Sequence, residues 1–256
     1  IAPQGLVYSP GLGHRAKPHF FLGDLECMQL HGDYAVYVAA DEHARDLTAP
    51  PAMIQGNTIY LRRESLRRML WEKLESWRWA RPDNALGRAF SSYDFASDLE
   101  DALDDMTDHE IRSCLLHEEG EYAAGQRLGD EDWNAMVLDL GHSPAEVFAR
   151  AVRDHLADCL VTLPALVESD DIPSLHFYVG NLTAMRREIF PALVAAYGDW
   201  WEGASQCRSN THPLATLAER GRGYWELTAR DILGLYQRLG PAAAAPIAEL
   251  AKSRRL

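Results

Sequence analysis

Basic residues are in deficit: of 256 residues, 25 are Lys or Arg against 38 Asp or Glu, a formal net charge of −13. Phosphate neutralisation needs surplus Lys and Arg, so this balance argues against a nucleic-acid partner. No apolar run approaches the ~20 residues that cross a bilayer, which argues against a membrane protein. Cysteine is sparse, and Cys27, Cys114, Cys159 and Cys207 form no Cys-x-x-Cys pair, which excludes a zinc ribbon or a thioredoxin-type motif. A chain of this length buries a core without covalent staples. Its first residues, IAPQGLVYSPGLGH, carry neither the basic start nor the long apolar run of a secretion signal. Free thiols and a cytoplasmic location are therefore expected. Phosphate-cradling glycine loops, a Rossmann glycine run and a Gly-x-Ser-x-Gly elbow are all missing.

What is present is an ordinary globular composition, 47% hydrophobic and 25% charged. Glycine and proline punctuate the first 60 residues, which read as loops with short strands at Tyr34–Val38 and Thr58–Leu61. From Arg63 to Pro82 the apolar residues Leu66, Met69, Leu70, Leu74 and Trp77 recur at helical spacing. The same helix carries Arg62, Arg63, Arg67, Arg68, Lys73, Arg78 and Arg81. This basic face reads as solvated, or as a docking face for the acidic stretch Asp94–Asp108, itself a helix with one apolar stripe. That stretch lacks the alternating oxygen ligands and central glycine of a calcium loop.

Thr107-Asp-His-Glu110 has the form of a capping box and predicts a fresh helix ending before Gly129. Ser143-Pro144-Ala-Glu146 predicts another, running to about Thr162 and stopped or kinked by Pro164. Further helices are expected over 174–188, beyond Pro191 to Trp201, over 213–219 and 223–239, and over 243–252. The expected class is mainly α, in essence all-alpha. A helical bundle over 91–256 follows an irregular N-terminal region, 1–90, with one long helix and room for short β-strands.

The candidate chemistry lies on two helices. With ~100° per residue and Leu99 at 0°, His117 and Glu121 fall at about 0° and 40°, among Leu103, Met106, Ala124 and Leu128. A buried carboxylate needs a partner. Residues i and i+4 share a face, so this pair suits either two ligands of one metal ion or an imidazole–carboxylate hydrogen bond. On the second helix, His155 and Asp158 stand at i and i+3, an echo of the ligand spacing of metal sites in helical bundles. His117-Glu-Glu-Gly-Glu121 also echoes the His-Glu-x-x-His zinc motif, with Glu121 where the second His belongs. Glu110 already has a role in the capping box, and His176 reads as a first-turn residue.

At His117-Glu-Glu-Gly-Glu121, Gln126-Arg-Leu-Gly129 and Arg153-Asp-His-Leu-Ala-Asp158, the sequence is similar to an uncharacterised bacterial protein family of unknown activity. The resemblance implies a bacterial cytosolic protein and supplies no reaction. Ferritin-like and haem-oxygenase-like di-iron proteins also set Glu and His ligands on several helices. The bundle helices here hold no Glu-x-x-His pair, so that analogy is one of fold.

The leading expectation is a metal site inside the bundle made by His117, Glu121, His155 and Asp158. Mixed nitrogen and oxygen donors suit a divalent Fe, Zn or Mn ion. Two alternatives stand beside it. One is a zinc-dependent hydrolase with Glu118 as base. The other is a non-catalytic interaction or scaffold protein in which Trp200, Trp201, Trp225 and the basic helix face a protein partner or a second copy of the chain.

Overall fold

Residues 2–12, 18–47, 50–203 and 213–256 are described in the computed structural model. His14, Cys207 and His212 lie outside them. The chain divides into two compact units, Ile1–Glu118 and Glu119–Leu256.

The first unit begins with strands β1 (Leu6–Leu12), β2 (Pro18–His31), β3 (Tyr34–Arg45), β4 (Ala52–Gln55) and β5 (Thr58–Arg62). They form one curled half-barrel sheet in the order β1-β2-β3-β5-β4, with β3 and β5 parallel and every other pair antiparallel. The chain is mainly helical as expected and the strands at 34–38 and 58–61 are present, but they belong to a five-stranded N-terminal sheet, so the chain is not all-alpha. The sequence hides β2 because its pairing with β3 shifts register three times between Leu22 and Cys27, which breaks the period-two pattern. Tight turns at Gly32 and Gly56, each with positive φ, join β2 to β3 and β4 to β5.

Alternation along the strands sorts the core onto both faces of the sheet. Val36, Val38, Ile59 and Leu61 pack with Ile111, Cys114 and Leu115 on one side. Val7, Phe21 and Ala39 pack with Tyr37 and Tyr60 on the other. Helix α1 (Arg63–Ala80) buries Leu66, Leu70 and Leu74 and lies against β3. A short helix α2 (Ala85–Phe90) follows, capped by the Asn84 side chain.

Arginines at the start of the basic stretch are paired with acids. Arg62 is fully buried and forks onto Glu42 at 2.7 and 2.8 Å. Arg63 pairs with Glu26 and Asp108, and Arg67 with Glu100 and Asp104. The last three acids lie on helix α3 (Leu99–Leu128), so the acidic stretch does meet the basic helix. No new helix starts at Thr107. Its buried hydroxyl donates to the Leu103 carbonyl one turn back, and α3 continues for 30 residues.

The second unit holds the end of α3 and helices α4 (Asp130–Asp139), α5 (Pro144–Ala157), α6 (Leu163–Glu168), α7 (Ile172–Asn181), α8 (Ala184–Ile189), α9 (Pro191–Gly203), α10 (Pro213–Leu239) and α11 (Ala244–Ser253). Helix α5 starts as expected: the Ser143 hydroxyl accepts from the Glu146 N–H, and the Glu146 carboxylate accepts from the His142 N–H at 2.8 Å. Pro164 does not stop the chain's helical run. Residues 158–162 widen into one π-helical turn, in which the Leu163 N–H reaches the Asp158 carbonyl five residues back. That wider turn accommodates a proline that can neither donate nor sit close to the preceding turn.

The expected helix over 174–188 is two, because Thr183 caps a new start at α8. The expected pair over 213–239 is the single α10. Gly221 is there for packing, since a Cβ on it would lie 2.6 Å from Cys159 Sγ. Among the described cysteines, Cys27, Cys114 and Cys159 are free thiols, and no described helix is long and apolar enough to cross a membrane.

Candidate metal centre

Helix α3 runs unbroken through the division between the units, so His117 and Glu121 are neighbours one turn apart on one helix. Glycine at 120 lets α5 come close to this turn. A Cβ there would stand 2.4 Å from the Ala157 carbonyl oxygen. Asp154 lies one turn before Ala157 on α5. Among the described residues, His117, Glu121 and Asp154 form a group whose ligand atoms all lie within 4.8 Å of one another, each side chain being half-buried. This group could hold a metal ion.

Glu121 has a second neighbour, Arg153. The Arg153 Nε lies 2.6 Å from Glu121 Oε2, and its Nη2 donates to Asp130 Oδ1 at 2.7 Å. Burial works against the Arg153 charge, but Glu121 and Asp130 more than offset it and raise its pKa. The other oxygen, Glu121 Oε1, is buried and accepts no hydrogen bond from any described residue.

The four residues expected to share a site divide into two places. His155 and Asp158 lie in a different cluster, around the π-helical turn. Asp158 is fully buried and accepts hydrogen bonds from Thr162 Oγ1 at 3.1 Å, from the Tyr178 hydroxyl at 3.0 Å and from Arg186 Nη2. His155 is stacked on Trp225 with ring centroids 5.0 Å apart and meets Phe190 edge-on. Burial first, and then the Arg186 charge, push its pKa down to about 3, against a smaller opposing pull from Asp158. The ring is therefore neutral, and its Nε2–H donates to the Arg186 carbonyl at 3.0 Å. Burial also raises the Tyr178 and Cys159 pKa values, with the Asp158 charge adding to it. Trp225, expected on an exposed partner face, is fully buried because it lies on the inner face of α10 with Thr228, Ala229 and Ile232. Trp201 does remain exposed.

Asp154 is the residue that sequence reasoning passed over. On the wheel that sets Val147 at 0°, it falls at about 340°, towards the polar side of α5 and away from the apolar shoulder where His155 stands. Gly120 was the available signal, since a glycine inside an amphipathic helix marks a close approach of another backbone.

The sequence matches the C-terminal domain of a family of unknown function (DUF6866) over residues 67–254, and the N-terminal domain of the same family over residues 1–62. The chain belongs to the DUF6866 family. The two domain matches meet just where β5 gives way to α1, so the family's N-terminal domain is the sheet, and its C-terminal domain carries all the residues of the candidate centre. Comparison with curated proteins and with solved structures finds no match.

Proposed function

We propose that this protein binds one divalent transition-metal ion through His117, Glu121 and Asp154. The observation that carries the reading is the convergence of the three ligand atoms within 4.8 Å. Two donors on one ion, with bonds of about 2.0–2.2 Å, stand at most about 4.4 Å apart, so small side-chain adjustments complete the set. One imidazole and two carboxylates are a borderline-to-hard donor set that suits Zn, Fe or Mn better than a sulfur-loving ion. Three protein ligands leave further coordination positions to water, and the half-buried setting admits it. The uncoordinated Glu121 Oε1, buried without a hydrogen bond, supports the same reading, because a cation would satisfy it.

The test is calorimetric titration of protein purified without a histidine tag, using Zn2+ and Mn2+, on the natural chain and on Glu121→Gln and Asp154→Asn. The expected result is one ion per chain, a rise in melting temperature with metal, and at least about tenfold weaker binding in each variant. Equal binding in both variants would place the ion elsewhere and remove the proposal.

A further inference from the structure

The Glu121 carboxylate is divided between its two oxygens. Oε2 lies against the Arg153 Nε at 2.6 Å, while Oε1 is buried with no hydrogen bond. Arg153 is itself fixed at several points. Its Nη2 donates to Asp130 Oδ1 at 2.7 Å and to the Glu121 carbonyl oxygen at 3.3 Å, and its side chain is 9% exposed. Space for this arrangement comes from a second glycine on α3. A Cβ at Gly125 would stand 3.0 Å from Asp130 Oδ1 and 3.4 Å from Arg153 Nη2. One guanidinium thus ties the last turns of α3 to the first turn of α4 and to α5, immediately beside Asp154.

We infer that Arg153 is the positioning residue of the metal group: by holding Glu121 through Oε2, it presents Oε1 to the cation. This rests on the metal-binding reading above. A carboxylate swings about two torsions at its tip, and a ligand fixed by a partner outside the coordination sphere loses less freedom when the ion arrives. Asp130 matters to the electrostatics. It offsets the Arg153 charge, so the guanidinium orients Glu121 without cancelling the negative charge that attracts the ion. The opposing possibility is that Arg153 is a resident cation which the metal must displace, and the two ideas predict opposite signs.

The experiment compares the natural chain with Arg153→Gln and Arg153→Lys by calorimetric titration with Zn2+ and Mn2+, and by the visible spectrum at saturating Co2+. Arg153→Gln is expected to bind about 10–100-fold more weakly, with an altered Co2+ spectrum. Arg153→Lys is expected to fall between the two, because an ammonium supplies charge but cannot fork across both carboxylates. Unchanged or tighter binding by folded Arg153→Gln overturns the inference while leaving the metal reading intact. If that variant does not fold, Arg153→Lys decides, and natural affinity with a natural Co2+ spectrum overturns it. Absence of binding by the natural chain removes both.

Discussion

His155 shows how strongly a single side chain's surroundings set its chemistry. An imidazole was legible at this position as a candidate ligand, since His and Asp three residues apart share a helix face. The aromatic sandwich of Trp225 and Phe190 was not legible, because its members come from α10 and from the end of α8, far away in sequence. The consequence is a pH dependence. In the unfolded chain His155 titrates near the usual ~6.5, whereas in the folded protein its pKa is about 3. Between those values the unfolded state holds the extra proton, so stability rises with pH there. The contribution is complete above about pH 6.5 and is lost as pH falls towards 3, on the order of 1 kcal/mol per pH unit. Melting temperatures measured from pH 7 to pH 4 should therefore fall, and His155→Phe should show a shallower fall than the natural chain. Identical slopes would mean that His155 is not the group responsible. Asp154, by contrast, was visible in sequence only as an acid on the polar side of α5. Its place beside His117 and Glu121 depends on how closely that helix approaches α3, which one sequence does not state.

At the scale of elements, the helices with clean caps were readable in sequence and the interruptions were not. Ser143-Pro144 starts α5 as its chemistry demands, and α1 ends where Pro82 follows. Thr107 was read as a fresh start and the stretch between 219 and 223 as a break, yet both lie inside continuous helices. A capping box and a helix-interior Thr use the same hydroxyl, which bonds either forward to an N–H or back to a carbonyl, and packing decides between them. Two of the three glycines of α10, Gly221 and Gly223, offer an internal comparison. Both are helical, so alanine gains up to about 1 kcal/mol of propensity at either. At Gly223 a Cβ meets nothing within 4 Å, whereas at Gly221 it meets the buried Cys159 sulfur at 2.6 Å. Urea unfolding should show Gly223→Ala stabilised by up to about 1 kcal/mol and Gly221→Ala destabilised by about 1–3 kcal/mol. Equal effects would mean that packing against the π-helical turn does not constrain α10. The sheet was the element least visible in sequence. Bulges in β2 erase its alternation, and the parallel pairing of β3 with β5 joins strands that are not consecutive in the chain.

Taken as a whole, the molecule sets many of its described arginines against its own acids. The net −13 coexists with arginines committed to acids: Arg62 to Glu42, Arg67 to Glu100 and Asp104, Arg153 to Glu121 and Asp130, and Arg186 to Asp158. The basic helix accordingly has Arg63 and Arg67, in its first turns, paired with acids of the same unit, and the buried ion pairs hold elements together within each unit. Against that background, His117, Glu121 and Asp154 bring two carboxylates and an imidazole to one place, with one carboxylate oxygen buried and accepting no hydrogen bond. The most direct test is anomalous diffraction from crystals soaked in Zn2+ or Mn2+, recorded at the absorption edge of the metal. The account predicts one strong peak within about 2.0–2.2 Å of an imidazole nitrogen of His117 and of carboxylate oxygens of Glu121 and Asp154. A map with no peak among these three side chains, or with its only peak on other residues, would contradict it.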